Sequence, residues 1–218
     1  MTPTAYLFNG HREYTLAFDR GRAVRLLIVP ALLDEAHRMR RLCVDVMRRL
    51  DASGVDCFLP DLPGTNESGN DLASLALGDW RAAMAEAAGH FAVTHVLAVR
   101  GGGLIAPGLP GWLLGPVKGA SLLRTLLRAR VLTSREAGRE ESGEGLLIEA
   151  QEHGIELAGY RLGAAFVQQF QAALPADGLS DIDQDLLGGS PMWLRAEPDG
   201  DAEQADALAA YLVMATAQ

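Results

Sequence analysis

Short continuous apolar runs alternate along the chain with longer stretches in which apolar residues return every three or four positions, a pattern that predicts strands interleaved with helices. Tyr6-Leu7-Phe8 and Tyr14 through Phe18 flank Asn9-Gly10-His11, so two strands joined by a turn open the chain. Leu26 through Pro30 is apolar throughout, as expected of a parallel strand covered on both faces. Behind it, Met39, Leu42, Cys43, Val46, Met47 and Leu50 form a helical stripe, with Arg38, Arg41, Arg48 and Arg49 largely off it. Gly54 through Pro60 predicts the next strand, Trp80, Ala83, Met84, Ala87, Ala88 and Phe91 the next helical face, and His95 through Arg100 a third strand. Strand, helix, strand, helix, strand over residues 26 to 100 makes two successive crossovers, hence a parallel sheet with helices on its faces.

The second half is less regular. Trp112-Leu113-Leu114 reads as a strand, and Leu122, Leu123, Leu126, Leu127 and Val131 as a helix stripe with Arg124, Arg128 and Arg135 off it. Thr133 to Gly145 turns charged and glycine-containing, which suggests a mobile excursion. Ile155 through Tyr160 alternates as one short strand, Leu162 to Leu174 reads as a helix, and Asp177 to Gly189 as an acidic loop. Pro191 through Ala196 is expected to be a last strand, followed by a closing helix from Ala202 to about Ala217 with Ala205, Leu208, Leu212 and Ala215 inward. The expected architecture is one α/β domain over residues 1–218, a mostly parallel sheet with helices on both faces and residues 115–175 as a helical, lid-like insertion.

The chemistry converges on the turn after the central strand. Val99-Arg100-Gly101-Gly102-Gly103 leads from an apolar run into a glycine cluster, a strand-turn-helix geometry that lifts one side chain to the carboxyl end of the sheet. Ala98 through Gly102 resembles the α/β-hydrolase G-x-S-x-G elbow, with small residues kept and Arg100 where the nucleophilic serine stands. A guanidinium stays protonated and cannot attack a carbonyl. If Arg100 is buried it requires a carboxylate, since an isolated charge is costly to bury, and Glu35 is the expected partner. Glu35 and its neighbour Asp34 lie in the loop after the Leu26–Pro30 strand, where ligands bind in open α/β sheets, although acidic residues there would also stabilise a helix start. The candidate ligand-binding set is therefore Arg100, Gly101, Glu35, Asp34, Ser68 on the Asp61–Gly69 loop, and Glu197 after the last expected strand, receiving a small anionic ligand.

Triad chemistry needs an imidazole beyond the last strand. The histidines are His11, His37, His90, His95 and His153, none of them there, and Glu197 takes that place. The alternatives are an atypical hydrolase of ester or acyl substrates, using Ser68 or Ser121 with His37 as base, and a scaffold that binds a protein partner through the Arg124–Arg139 surface. With 218 residues, 49% of them hydrophobic, the chain can bury a full core, and a net charge of −9 argues against nucleic acid or an anionic membrane as partner. Cys43 and Cys57 lack CxxC or metal-ligand spacing and are expected to be buried thiols. No cofactor motif or metal cluster is expected. With no basic, apolar leader and no apolar run of ~18 residues, a cytoplasmic protein without a membrane span is the expectation.

Several stretches together resemble the exosortase A system-associated hydrolase 2 family, α/β-hydrolase-like proteins encoded beside bacterial exosortase and exopolysaccharide genes. They are Pro30 through Arg41, Asp61-Leu62-Pro63-Gly64 through Ser68 with Asn66 where a glycine is usual, Val99 through Gly102, Gly115 through Leu123, Ala158 through Leu162, and Pro191-Met192-Trp193 through Glu197. The resemblance implies the hydrolase fold and a link to surface-polysaccharide export or protein sorting. It also implies a sheet strand and an acid position between Leu174 and Ser190, where this chain is short.

Overall fold

The computed structural model describes residues 1–195 and 200–217. Its centre is a seven-stranded sheet in the order β1-β2-β4-β3-β5-β6-β9. The first two strands, β1 (Thr2–Phe8) and β2 (His11–Phe18), form a hairpin closed by Asn9 and Gly10, both at positive φ, 50° and 79°. β2 runs antiparallel to β4 (Asp56–Pro60), and from there β4, β3 (Arg25–Val29), β5 (His95–Val99), β6 (Gly111–Leu114) and β9 (Ser180–Ile182) are mutually parallel. Helices α1 (Asp34–Ala52) and α2 (Leu77–His90) supply the two crossovers expected from the pattern.

Strand alternation divides the core into two layers. Leu26, Ile28, Leu97 and Val99 face a cluster shared with α1 and with the closing helix α7 (Ala202–Thr216). Leu27, Val29, Val96 and Ala98 face the opposite layer, built on α2, α3 (Gly119–Glu136) and α5 (Ala164–Ala172). The predicted stripe of α1 is fully buried, and so are Cys43 and Cys57, whose thiols burial pushes up to about 12. At the amino edge of the sheet, buried Asp56 accepts backbone N–H bonds from Arg20 and Arg22 and ion-pairs with Arg22 and Arg25.

Between β6 and β9 the chain makes a long excursion: α3, α4 (Gly143–His153), a hairpin of β7 (Ile155–Leu157) and β8 (Tyr160–Leu162), and α5. Leu122, Leu123, Leu126, Leu127, Phe166, Val167 and Phe170 from this stretch are part of the α2-side core. The charged stretch after Thr133 is a short turn, since α3 continues to Glu136 and α4 starts at Gly143; Glu141 ties it down through Arg130 and Ser134.

Four local expectations are corrected. The single strand expected over Ile155–Tyr160 is a hairpin, because Ala158 and Gly159 take positive φ (49° and 82°) and reverse the chain. The helix after the elbow is a 3-10 segment, Arg100–Leu104, since three consecutive glycines disfavour a longer helix. The Asp177–Gly189 stretch is not all loop: it holds β9, which completes the sheet beside β6, followed by the short helix α6 (Gln184–Leu187). Pro191–Ala196 is not a strand; Met192–Leu194 is a 3-10 turn lying over the carboxyl end of the sheet, and Ala196 lies outside the described residues.

Candidate functional site

Arg100 follows β5 directly and sits at φ 54°, a left-handed conformation that an L side chain rarely adopts. Such strain persists only where surrounding structure dictates it. Here the dictation comes from close approach on both sides of the turn. A Cβ on Gly102 would stand 2.6 Å from the carbonyl oxygens of Val29 and Pro30, and one on Gly101 2.7 Å from Leu122. The glycines let the elbow press against the end of β3, and the turn therefore projects Arg100 over the carboxyl ends of the strands.

The guanidinium is held from three directions. Its Nε and Nη2 donate to the two carboxylate oxygens of Glu35 at 3.1 and 2.9 Å, and Nη1 donates to the Gly115 carbonyl at 2.8 Å. Its flat face lies 4.5 Å from the ring of Trp193. The pair is largely buried, with 13% of the Arg100 side chain and 15% of the Glu35 side chain exposed. Glu35 also lies in the first turn of α1, where the partial positive charge of the helix end favours a carboxylate. The fork geometry is the strongest form of carboxylate recognition. The place a catalytic alcohol takes on such an elbow is thus occupied by an internal, bidentate ion pair.

The other sequence-predicted residues scatter around this pair. Asp34 turns back along α1 to Arg38. Gly101 contributes backbone and closeness only. Ser68 lies toward the other side of the sheet: its hydroxyl donates to Glu13 Oε1 at 2.9 Å and accepts from the Gly64 N–H at 2.8 Å, so it fastens its own loop. Glu197 lies outside the described residues. His37 is exposed and shares a 3.1 Å hydrogen bond with the Tyr160 hydroxyl, which burial, and after it Asp34, raises in pKa. Among the described residues no serine or cysteine is hydrogen-bonded to an imidazole; Thr94 Oγ1 is, 2.9 Å from His95 Nδ1, but at the amino end of β5.

Three residues at the site carry no chemical signal in the sequence. Gly115 acts through its carbonyl and leaves no side-chain signal, although its positive φ of 57° marks a turn. Trp193 has the pattern of a strand residue, but the 3-10 turn brings it over Arg100, close enough that a Cβ on Gly115 would stand 2.6 Å from its ring. Tyr160, whose pattern is that of a strand end, closes a cleft over β3 and β4 with His37, Arg40, Asp61 and Thr65 at its edge. Arg40 and Asp61 are paired across this cleft at 2.8 Å. Among the described residues no group of three or more His, Cys, Asp and Glu side chains could hold a metal ion, and no helix is long and apolar enough to cross a membrane.

No protein-family model and no curated protein matches the sequence. Solved structures do. The chain is similar to the esterase Est1E from Butyrivibrio proteoclasticus, solved with ferulic acid bound, at 16% identity and a TM-score of 0.51 over 78% of this chain and 70% of that one. It is also similar to mouse alpha/beta hydrolase domain-containing protein 10, at 11% identity and a TM-score of 0.53 over 79% of this chain and 70% of that one. This chain has the α/β-hydrolase fold. Identity this low speaks for the fold alone, and α/β-hydrolase folds host many functions.

Proposed function

We propose that this α/β-hydrolase-fold protein is non-hydrolytic and serves as a binding or accessory component. One observation carries the reading: the elbow position holds Arg100, and Glu35, Gly115 and Trp193 hold Arg100. Acyl transfer needs a nucleophile there with a base within hydrogen-bond reach. An arginine offers no lone pair, and its charge is already neutralised by Glu35. Ser68, the loop serine that could substitute, is bonded to a buried carboxylate and to backbone, not to an imidazole.

A small carboxylate or phosphate reaching Arg100 would compete with Glu35 for the same fork, so ligand binding at this site is an exchange of one anion for another. The motif resemblance to the exosortase-associated hydrolases supports placing that role in bacterial surface-polysaccharide export or protein sorting. The test is a panel of p-nitrophenyl esters of increasing acyl length, run on the unmodified protein and on the Ser68→Ala, Ser121→Ala and Arg100→Ser variants. All four are expected to stay at the buffer rate. Turnover by the unmodified protein that disappears in Ser68→Ala or Ser121→Ala would make it a loop-serine hydrolase and end this reading.

A further inference from the structure

Helix α3 presents two different faces to its surroundings. Leu122, Thr125 and Leu126 lie toward Leu32, Glu35 and Arg38 beside the elbow. On the other side α3 and α4 leave an open groove of about 510 Å³, floored by Leu123, Leu127, Val131 and Leu147.

Arginine charge that no carboxylate matches is gathered along the helix that walls this groove. The chain carries a net charge of −9, and arginines such as Arg22, Arg25, Arg40, Arg100 and Arg130 are each matched to a carboxylate. Arg124 and Arg128 line the groove, and Arg135 follows on the same helix; none of the three forms an ion pair among the described residues. Spaced by four and seven positions, they make one row along α3, about 16 Å long at the rise of an α-helix. The opposite wall carries Glu144.

We propose that this groove binds an amphipathic helix of a partner protein, with its apolar residues seated between α3 and α4 and a row of carboxylates facing Arg124, Arg128 and Arg135. Helix-in-groove recognition uses such i, i+3, i+4, i+7 anchors, and a span of about 16 Å accommodates three turns. A single-headed amphiphile such as a fatty acid would engage one arginine at one end, whereas these are distributed along the helix. Glu144 favours a basic residue on the partner's other flank, which fixes the facing of the bound helix. The surface is separate from the Arg100 pocket, so this inference and the non-hydrolytic reading stand or fall by different measurements.

The test uses the isotopically labelled full chain and a synthetic amphipathic peptide of about eighteen residues, five helical turns, with leucines at the anchor spacing, glutamates on one flank and lysines on the other. Titration is expected to shift the amides of α3 and α4. A peptide whose glutamate flank is replaced by lysine should bind about tenfold more weakly, and the Arg124→Glu/Arg128→Glu variant should reverse that order. Both arginines are exposed, and a thermal melt of the variant checks that its fold is kept. Absence of binding, equal binding of the two charge patterns or of a scrambled peptide, an unchanged order in the variant, or shifts confined to other elements would overturn the proposal. So would dodecanoate perturbing the same amides where the peptide does not, which would assign the groove to a single-chain amphiphile.

Discussion

Glu35 grips Arg100 with both carboxylate oxygens across 65 positions of sequence, joining the first turn of α1 to the elbow after β5. Because both side chains are mostly out of water, the pair is worth far more broken than formed: removing one member strands the other's charge. Glu35→Ala is expected to lower the unfolding free energy by about 2–4 kcal/mol, at or below the usual cost of a broken buried pair because the Gly115 carbonyl and Trp193 still hold the guanidinium. Replacing both, Glu35→Leu with Arg100→Met, should cost less than either single change. Urea unfolding of Glu35→Leu, Arg100→Met and the double variant beside the unmodified protein forms the double-mutant cycle; singles that add to give the double would mean that the two residues are not coupled.

The elbow also depends on what is missing at Gly102. An added methyl would stand 2.6 Å from two carbonyl oxygens of β3 and the residue after it, and backbone cannot yield as a flexible side chain can. Gly102→Ala is expected to lose about 1–3 kcal/mol, the range for overpacking. Gly108→Ala, with nothing within 4 Å of the added carbon, is the matched control and should be near neutral. Thermal melts of the two variants check this, and equal melting temperatures would mean that the elbow is looser than its geometry requires.

The first half of the chain could be read from sequence because its signals are local. Period-two and period-3.6 patterns each repeat long enough to be distinguished, and all six predicted stripe residues of α1 are buried. The pairing of Glu35 with Arg100 follows from the cost of burying an unpaired guanidinium taken together with the place of Glu35 at the carboxyl end of a strand. The second half was harder to read for two reasons. Its strands are three or four residues long, too short for a period, so β9 looks like acidic loop and β7–β8 like one strand. Pro191-Met192-Trp193 has a strand-like composition, but Trp193 covers the guanidinium of Arg100, a contact between residues far apart in sequence that a local pattern does not register. Backbone acceptors such as Gly115 leave no side-chain trace at all.

Ser68 offers a way to separate a structural hydroxyl from a nucleophile. It donates to Glu13, which is fully buried in β2 and also accepts from Asn70 Nδ2 at 2.6 Å. Ser68→Ala removes one donor from a buried carboxylate and the acceptor for the Gly64 N–H, a loss of about 1–3 kcal/mol. Ser121 is half-buried at the start of α3, and Ser121→Ala should stay within about 0.5 kcal/mol of the unmodified protein. Differential scanning calorimetry distinguishes the two. An unperturbed melt for Ser68→Ala would contradict the structural role given to that hydroxyl.

Acid should loosen the amino edge of the sheet first. The Asp51 carboxyl is held down to about 2, chiefly by its hydrogen bond from Arg20 and then by Arg22, and Asp19 is lowered by Arg25. A carboxyl whose pKa is lower in the folded state than in the unfolded chain releases its proton more readily when folded, so folding is favoured while the carboxyl is ionised. The contribution is therefore complete above an ordinary aspartate pKa of about 4 and fades as pH falls through the folded value near 2. Melting temperature should drop across that window. In Arg20→Ala the Asp51 carboxyl titrates nearer its unfolded value, so stability should fall at pH 7, modestly because Arg20 is exposed and Arg22 still reaches Asp51 at 2.8 Å, and the two proteins should converge as pH approaches 2. Melts recorded from pH 7 to pH 2 on both proteins test this, and parallel curves would remove Arg20 as the cause.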